Sequence, residues 1–144
     1  MIRPAAFAAT LALGLAPGRP MAADVASGAL DGMTFVATIT VDAYDAPFPD
    51  RQIFDEGTFL SEECQRRCDF GRVPYHTRRE GDAIAFVAEM RCADAPHHVR
   101  WEGRVTDGRI EGTAVWTVER FYWTVVRHAT FSGVLAPEAR AAAE

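Results

Sequence analysis

The chain has 144 residues, of which 49% are hydrophobic, and 15 arginines with no lysine face 20 acidic residues, for a net charge of −5. That length allows one domain with one core. The acidic balance argues against nucleic acid and against anionic lipid surfaces as partners.

The N-terminus reads as an export signal. Met1-Ile2-Arg3 is a short basic start, residues 5–16 form an apolar run, and Pro17-Gly18-Arg19-Pro20 breaks it. Met21-Ala22-Ala23 then offers small residues for cleavage. This is the pattern of a secretory signal peptide over 1–23. The apolar run is shorter than the roughly 20 residues a bilayer span needs. Removing it takes away Arg3 and Arg19 and leaves thirteen arginines against twenty acids, a net −7. The absence of lysine and asparagine fits a GC-rich bacterial genome. A periplasmic or secreted protein is therefore expected.

Residues 24–30 read as a linker. From there the hydrophobic period is two. Met33, Phe35, Ala37, Ile39 and Val41 alternate with Thr34, Thr38, Thr40 and Asp42. Similar alternation follows at Ile84–Cys92, Val99–Val105 and Ile110–Val118. Such alternation marks strands with one buried and one wet face. Seven strands are predicted, over 33–43, 52–60, 72–79, 83–92, 98–106, 109–118 and 121–135. The connections are short except at 43–50. Short links favour an up-and-down meander. An all-β antiparallel meander of seven or eight strands, closed into a small barrel, satisfies one long apolar face. A two-sheet sandwich is the runner-up. The barrel domain is placed at 31–136 and a disordered tail at 137–144.

Length, export signal and meander together resemble the small lipocalin-like (calycin) barrels and their secreted bacterial relatives, over about residues 31–136. Where lipocalins usually carry Gly-x-Trp, this chain reads Asp31-Gly32-Met33-Thr34-Phe35. The resemblance implies an apolar interior that binds a small ligand. It carries over no ligand-binding residue.

Between Leu60 and Gly71 the alternation stops. Ser61 can cap a short helix near 61–68. Glu62 and Glu63 fall in its first turn and Arg66 and Arg67 in its last, as the helix dipole favours. Cys64 and Cys68 then share a face. A two-residue turn at Glu80-Gly81 brings Cys92 opposite Asp69, and a three-residue loop brings it opposite Cys68. Both put Cys68 and Cys92 within bridging range, in a compartment that favours a disulfide. Other pairings of the three cysteines stay open. Cys64 is left as an odd free thiol, either buried and inert or made reactive by its helix position and nearby arginines.

The hairpin at Asp107-Gly108 pairs Trp101 with Ala114, Gly103 with Gly112 and Val99 with Trp116. The opposed glycines are expected to leave space beside the tryptophans. A tight turn at Glu119-Arg120 pairs Trp116 with Trp123 and places Arg127 on the inward row of the last strand. A buried arginine must be paired, hydrated or bound to something. Either it pairs with a carboxylate such as Asp55, or a bulge turns it outward, or it reads a ligand anion in a pocket walled by Trp101, Trp116, Trp123 and Tyr75. No Gly-x-Ser-x-Gly, His-Glu-x-x-His or phosphate loop is present, and the cysteines and histidines show no zinc spacing. No catalytic residue, metal or cofactor is therefore assigned. Three functions are carried forward. One is a barrel that binds a small apolar or amphiphilic ligand. Another is a module that binds an envelope protein through its outer face or the 43–50 loop. The last is a thiol redox role at Cys64.

Overall fold

The computed structural model describes residues 24–25 and 28–138. The predicted signal peptide and residues 139–144 of the predicted tail lie outside them. The elements are β1 (Asp24–Val25), β2 (Thr34–Val41), β3 (Phe48–Asp55), β4 (Thr58–Ser61), α1 (Glu62–Cys68), β5 (Val73–Glu80), β6 (Ala83–Arg91), β7 (His97–Thr106), β8 (Arg109–Glu119) and β9 (Thr124–Leu135). Strands β2 to β9 pair each with the next, and β9 returns to β2. The result is a closed eight-stranded antiparallel up-and-down barrel with one short helix. Among the described residues, no helix is long and apolar enough to cross a membrane.

The two ends of the barrel differ. At one end sit three tight turns, Glu56-Gly57, Gly81-Asp82 and Asp107-Gly108. Asp107 and Gly108 both have positive φ, 49° and 69°, as a type I′ turn requires. The longer connections, α1 among them, gather at the other end.

Two expected segments differ from the structure. The predicted strand 52–60 is a hairpin, because Glu56 and Gly57 both take positive φ and fold Thr58 back onto Asp55. The predicted loop 43–50 shortens, since β3 begins at Phe48. The predicted linker 24–30 is partly structural as well. Asp24 and Val25 pair with Arg78 and Thr77 of β5, and Leu30 is fully buried. Of the tail, Glu138 lies 2.5 Å from the Arg51 guanidinium.

Two registers also shift. The β5–β6 turn is centred on Gly81-Asp82, not Glu80-Gly81, so Glu80 faces Ala83 and Tyr75 faces Ala88. The β8–β9 turn has four residues, Arg120 to Trp123, and not two. Trp116 therefore faces Arg127. The Asp107-Gly108 register holds, with Gly103 opposite Gly112.

The half of the barrel nearer the tight turns is filled with aromatic rings. Phe54 packs edge-on against Phe86 and Tyr75 at 5.0 Å, and Trp101 lies 5.3 Å from Phe131. Burying each such side chain contributes about 1.5–3 kcal/mol. The facing glycines leave no free space there, contrary to expectation. A Cβ on Gly103 would come within 2.8 Å of the Phe131 ring, and one on Gly112 would run into the Glu102 carbonyl. The absent side chains are what admit the Phe86 and Phe131 rings. Gly112→Ala should therefore destabilise the fold by about 1–3 kcal/mol in urea unfolding. Gly71→Ala, where a Cβ meets nothing within 4 Å, should stay within about 0.5 kcal/mol of wild type.

Candidate functional site

The open end of the barrel holds a cavity of about 340 Å³. Its floor is Trp101, which is 1% exposed. Ile39 and Val41 of β2, Val99 of β7 and Ala114 and Trp116 of β8 form the barrel-side wall. Each lies on the inward parity of its strand. Glu63, Cys64, Arg67 and Cys68 of α1 form the opposite wall, with Phe70 beside them. Tyr44 and Phe48 stand at the rim, where the Arg67 guanidinium lies 4.7 Å over the Phe48 ring. Arg127 is exposed at the rim on the inward row of β9.

Four of the predicted ligand residues are brought to this end, but not all into the cavity. Trp101, Trp116 and Arg127 line it together. Arg127 makes no ion pair among the described residues. Asp55, its candidate partner, sits at the opposite end beside the Glu56-Gly57 turn. Trp123 does not join them, because the four-residue turn carries it outward to 61% exposure. Tyr75 is absent from the site altogether. It is buried near the tight-turn end, where its hydroxyl donates to Asp31 Oδ1 at 2.8 Å and accepts from the Leu30 N–H at 3.0 Å. Burial pushes its phenol up to about 12, with the Asp31 hydrogen bond adding to the effect. Its role is to hold the barrel closed.

His97, expected to be solvated at a loop-strand junction, is half-buried as a wall residue. It shares the parity of Val99 and Trp101, so extending that row by one step would have found it. Its ring lies 5.6 Å from the Trp116 ring. Among the described residues, three polar atoms of the wall are buried without a partner: Trp101 Nε1, Trp116 Nε1 and His97 Nδ1. Each bare buried group of this kind costs roughly 1–3 kcal/mol.

Helix α1 is fixed at both ends. Ser61 caps it, accepting from the Cys64 N–H at 3.2 Å. Asp50, buried on β3, accepts from the Ser61 hydroxyl at 2.8 Å and from the Glu63 N–H at 2.9 Å. At the far end Cys68 is bridged to Cys92, with Cα atoms 5.8 Å apart. The predicted pairing is thus formed, although Cys92 lies opposite Phe70 and not Asp69 or Cys68. It closes a loop 24 residues apart in sequence, worth on the order of 3 kcal/mol in the chain-entropy account.

Cys64 is free, and its surroundings do not activate it. Burial pushes the thiol up to about 12, and Asp50 and Glu63 push the same way. The nearby arginines do not reverse this, because Arg66 and Arg67 both bond to Glu63 at 2.6 Å. These surroundings favour the inert reading of the thiol over the reactive one. At pH 8, alkylation of Cys64 in the folded protein should be on the order of a thousandfold slower than after unfolding. Mass-spectrometric counting of labelled thiols would measure both rates.

Asp50 has a second consequence. Burial raises its pKa from 3.8 to about 6, against the lowering effect of the Glu63 N–H and Ser61 hydroxyl. The folded state then holds a proton that the unfolded chain releases. Stability attached to this proton is present below about pH 4 and is lost as the pH rises through 6. The loss amounts to about 3 kcal/mol at ~1.4 kcal/mol per pKa unit. Asp50→Asn lacks the titration. Its stability relative to wild type should rise by about that amount between pH 4 and pH 7, as read by denaturant unfolding at each pH.

These features define a small up-and-down β-barrel with a tight end, an open end and an apolar cavity at the open end. No family model, curated protein or solved structure matches the chain.

Proposed function

We propose that this chain is a secreted or periplasmic barrel protein that binds a small apolar or amphiphilic ligand in the cavity beneath α1. The observation that carries the reading is the cavity itself, an apolar concavity of about 340 Å³ with a cation at its rim. Ligand sites are concave, mostly apolar and supplied with a few polar groups. At roughly 30 Å³ per heavy atom, the volume takes a body of about ten heavy atoms. The indole N–H groups of Trp101 and Trp116 and the Arg127 guanidinium, without partners among the described residues, favour a ligand that brings a hydrogen-bond acceptor. The Cys68–Cys92 bridge is in keeping with an oxidising compartment, and the sequence pattern of residues 1–23 with export. The same cavity favours this reading over an envelope-protein module, which needs no internal space. A lipocalin-like relationship remains a proposal resting on the meander and the barrel.

Octanoic acid and 1-octanol have the size the cavity accepts. Both should give a saturable change in tryptophan fluorescence, because Trp101 and Trp116 line the cavity. Arg127→Ala should weaken octanoate binding about tenfold, or ~1.4 kcal/mol, and leave octanol binding and thermal stability unchanged. Absence of saturable binding by either compound would remove the ligand reading. Native mass spectrometry of protein taken from a bacterial periplasm would show whether a resident molecule copurifies.

A further inference from the structure

The turn between β8 and β9 is the most exposed apolar feature among the described residues. Phe121 is 92% exposed, Tyr122 83% and Trp123 61%. Large aromatics gathered in water are the informative exception to burial. A hairpin turn does not need them, since Gly, Asn, Asp and Ser serve that purpose. Nor is the turn loose. The Arg120 N–H donates to the Trp123 carbonyl at 2.9 Å, and the Glu119 N–H to the Pro96 carbonyl at 2.9 Å. The Phe121 and Tyr122 rings meet edge to face at 4.6 Å. The backbone holds these rings outward.

We propose that Phe121, Tyr122 and Trp123 form a wedge that seats the open end of the barrel on a neutral phospholipid surface. The shape favours lipid over protein. The wedge is the convex tip of one hairpin, which a soft interface admits directly, whereas a protein partner would have to supply a matching cleft. The chemistry also fits. Tyrosine and tryptophan each join an apolar ring to a polar handle, the pairing that settles at headgroup level. Phe121, the most exposed, supplies a wholly apolar body.

Charge selects the kind of lipid. The net charge of −7 expected once residues 1–23 are removed opposes an anionic surface. Locally, Arg120 belongs to the turn and Arg127 stands at the cavity rim, and neither makes an ion pair among the described residues. Both can meet the phosphates of zwitterionic headgroups. Position adds a last argument. Arg127 and Trp116 form the rung three below Glu119 and Thr124, where the turn begins. At about 3.4 Å per residue the wedge stands about 10 Å beyond the rim. Tyr44, 39% exposed, lies on the same rim. An apolar ligand could pass between such a surface and the cavity without crossing water. The wedge itself rests on its own exposure and does not require the cavity to be filled.

The test uses the chain as secreted, with vesicles of pure phosphatidylcholine. Wild type should co-float with the vesicles. Lipids brominated on their acyl chains should quench Trp123, while Trp101 and Trp116 inside the barrel stay shielded. The triple variant Phe121→Ser, Tyr122→Ser, Trp123→Ser alters only exposed positions. It should lose at least tenfold in vesicle partitioning and keep wild-type affinity for 1-octanol. Failure of wild type to bind vesicles, or equal binding by the triple variant, overturns the proposal. So does self-association that depends on the turn without vesicle binding, since a second copy would then be the occupant. Turn-dependent vesicle binding without octanol binding upholds the wedge and removes the cavity reading alone.

Discussion

The seam between β4 and β5 decides whether this sheet is a barrel. Every other neighbouring pair among the eight barrel strands, β2 to β9, shares a longer ladder, up to the eleven residue pairs of β8 and β9. At the seam only Thr58 with Pro74 and Phe59 with Val73 pair directly, and proline supplies no N–H to the ladder. Closure therefore depends on groups outside the ladder. Tyr75 bonds to Asp31 and Leu30 across the tight-turn end. The Tyr75 N–H reaches the Gly57 carbonyl at 3.3 Å. The Cys68–Cys92 bridge straps α1, which follows β4, to the end of β6. β1 covers the part of the β5 edge that β4 does not reach. An edge left bare there would be open to pairing with another chain.

Given closure, the division of labour between the ends follows from packing. Eight strands leave an interior that side chains can just fill. Near the tight turns Phe54, Phe59, Phe86 and Phe131 fill it, helped by the missing side chains of Gly103 and Gly112. Toward the open end the inward residues become smaller or face the helix, as with Val41, Val99, Ala114 and Ala129. Interior volume is left over there, and the longer connections frame it.

Much of this was legible in the sequence because facing has period two. Counted from the two-residue turns, the β5–β6 register was misplaced by two residues and the β8–β9 register by four, so the side chains that stay within the strands kept their predicted face. Arg127 thus lands on the inward row although its partner is Trp116 and not Gly112. The Ser61 cap, α1 and the Cys68–Cys92 bridge were legible for a related reason, since local capping chemistry and chain proximity hardly depend on register. What escaped was the length of turns without a sequence mark. Glu56-Gly57 lies inside a run that reads as one strand, and Arg120-Phe121-Tyr122-Trp123 reads as the start of another. Apolar composition argued for strand at the second place, and tertiary context overrode it. Trp123 and Tyr75 were misassigned for those reasons. The free volume could not be read at all, because a filled core and a pocket use the same residue types.

The cavity is bounded by two unlike walls. Most of its barrel side lies on the ladders of β7, β8 and β9, the longest in the sheet, so Trp101, Trp116 and the stem of Arg127 are set by backbone geometry. Its other side is a seven-residue helix, too short to be stable by itself. That helix depends on Asp50 and Ser61 at one end and the disulfide at the other. Asp50 could have been an apolar residue had packing been the only demand. A buried carboxylate is costly, and here it is spent on satisfying helix N–H and hydroxyl groups that face the barrel interior. The consequence is a wall whose position is defined by hydrogen bonds and one covalent link, and not by a broad apolar contact. A wall of that kind keeps its shape while the space beside it is empty, which a wall held only by packing against the opposite side would not.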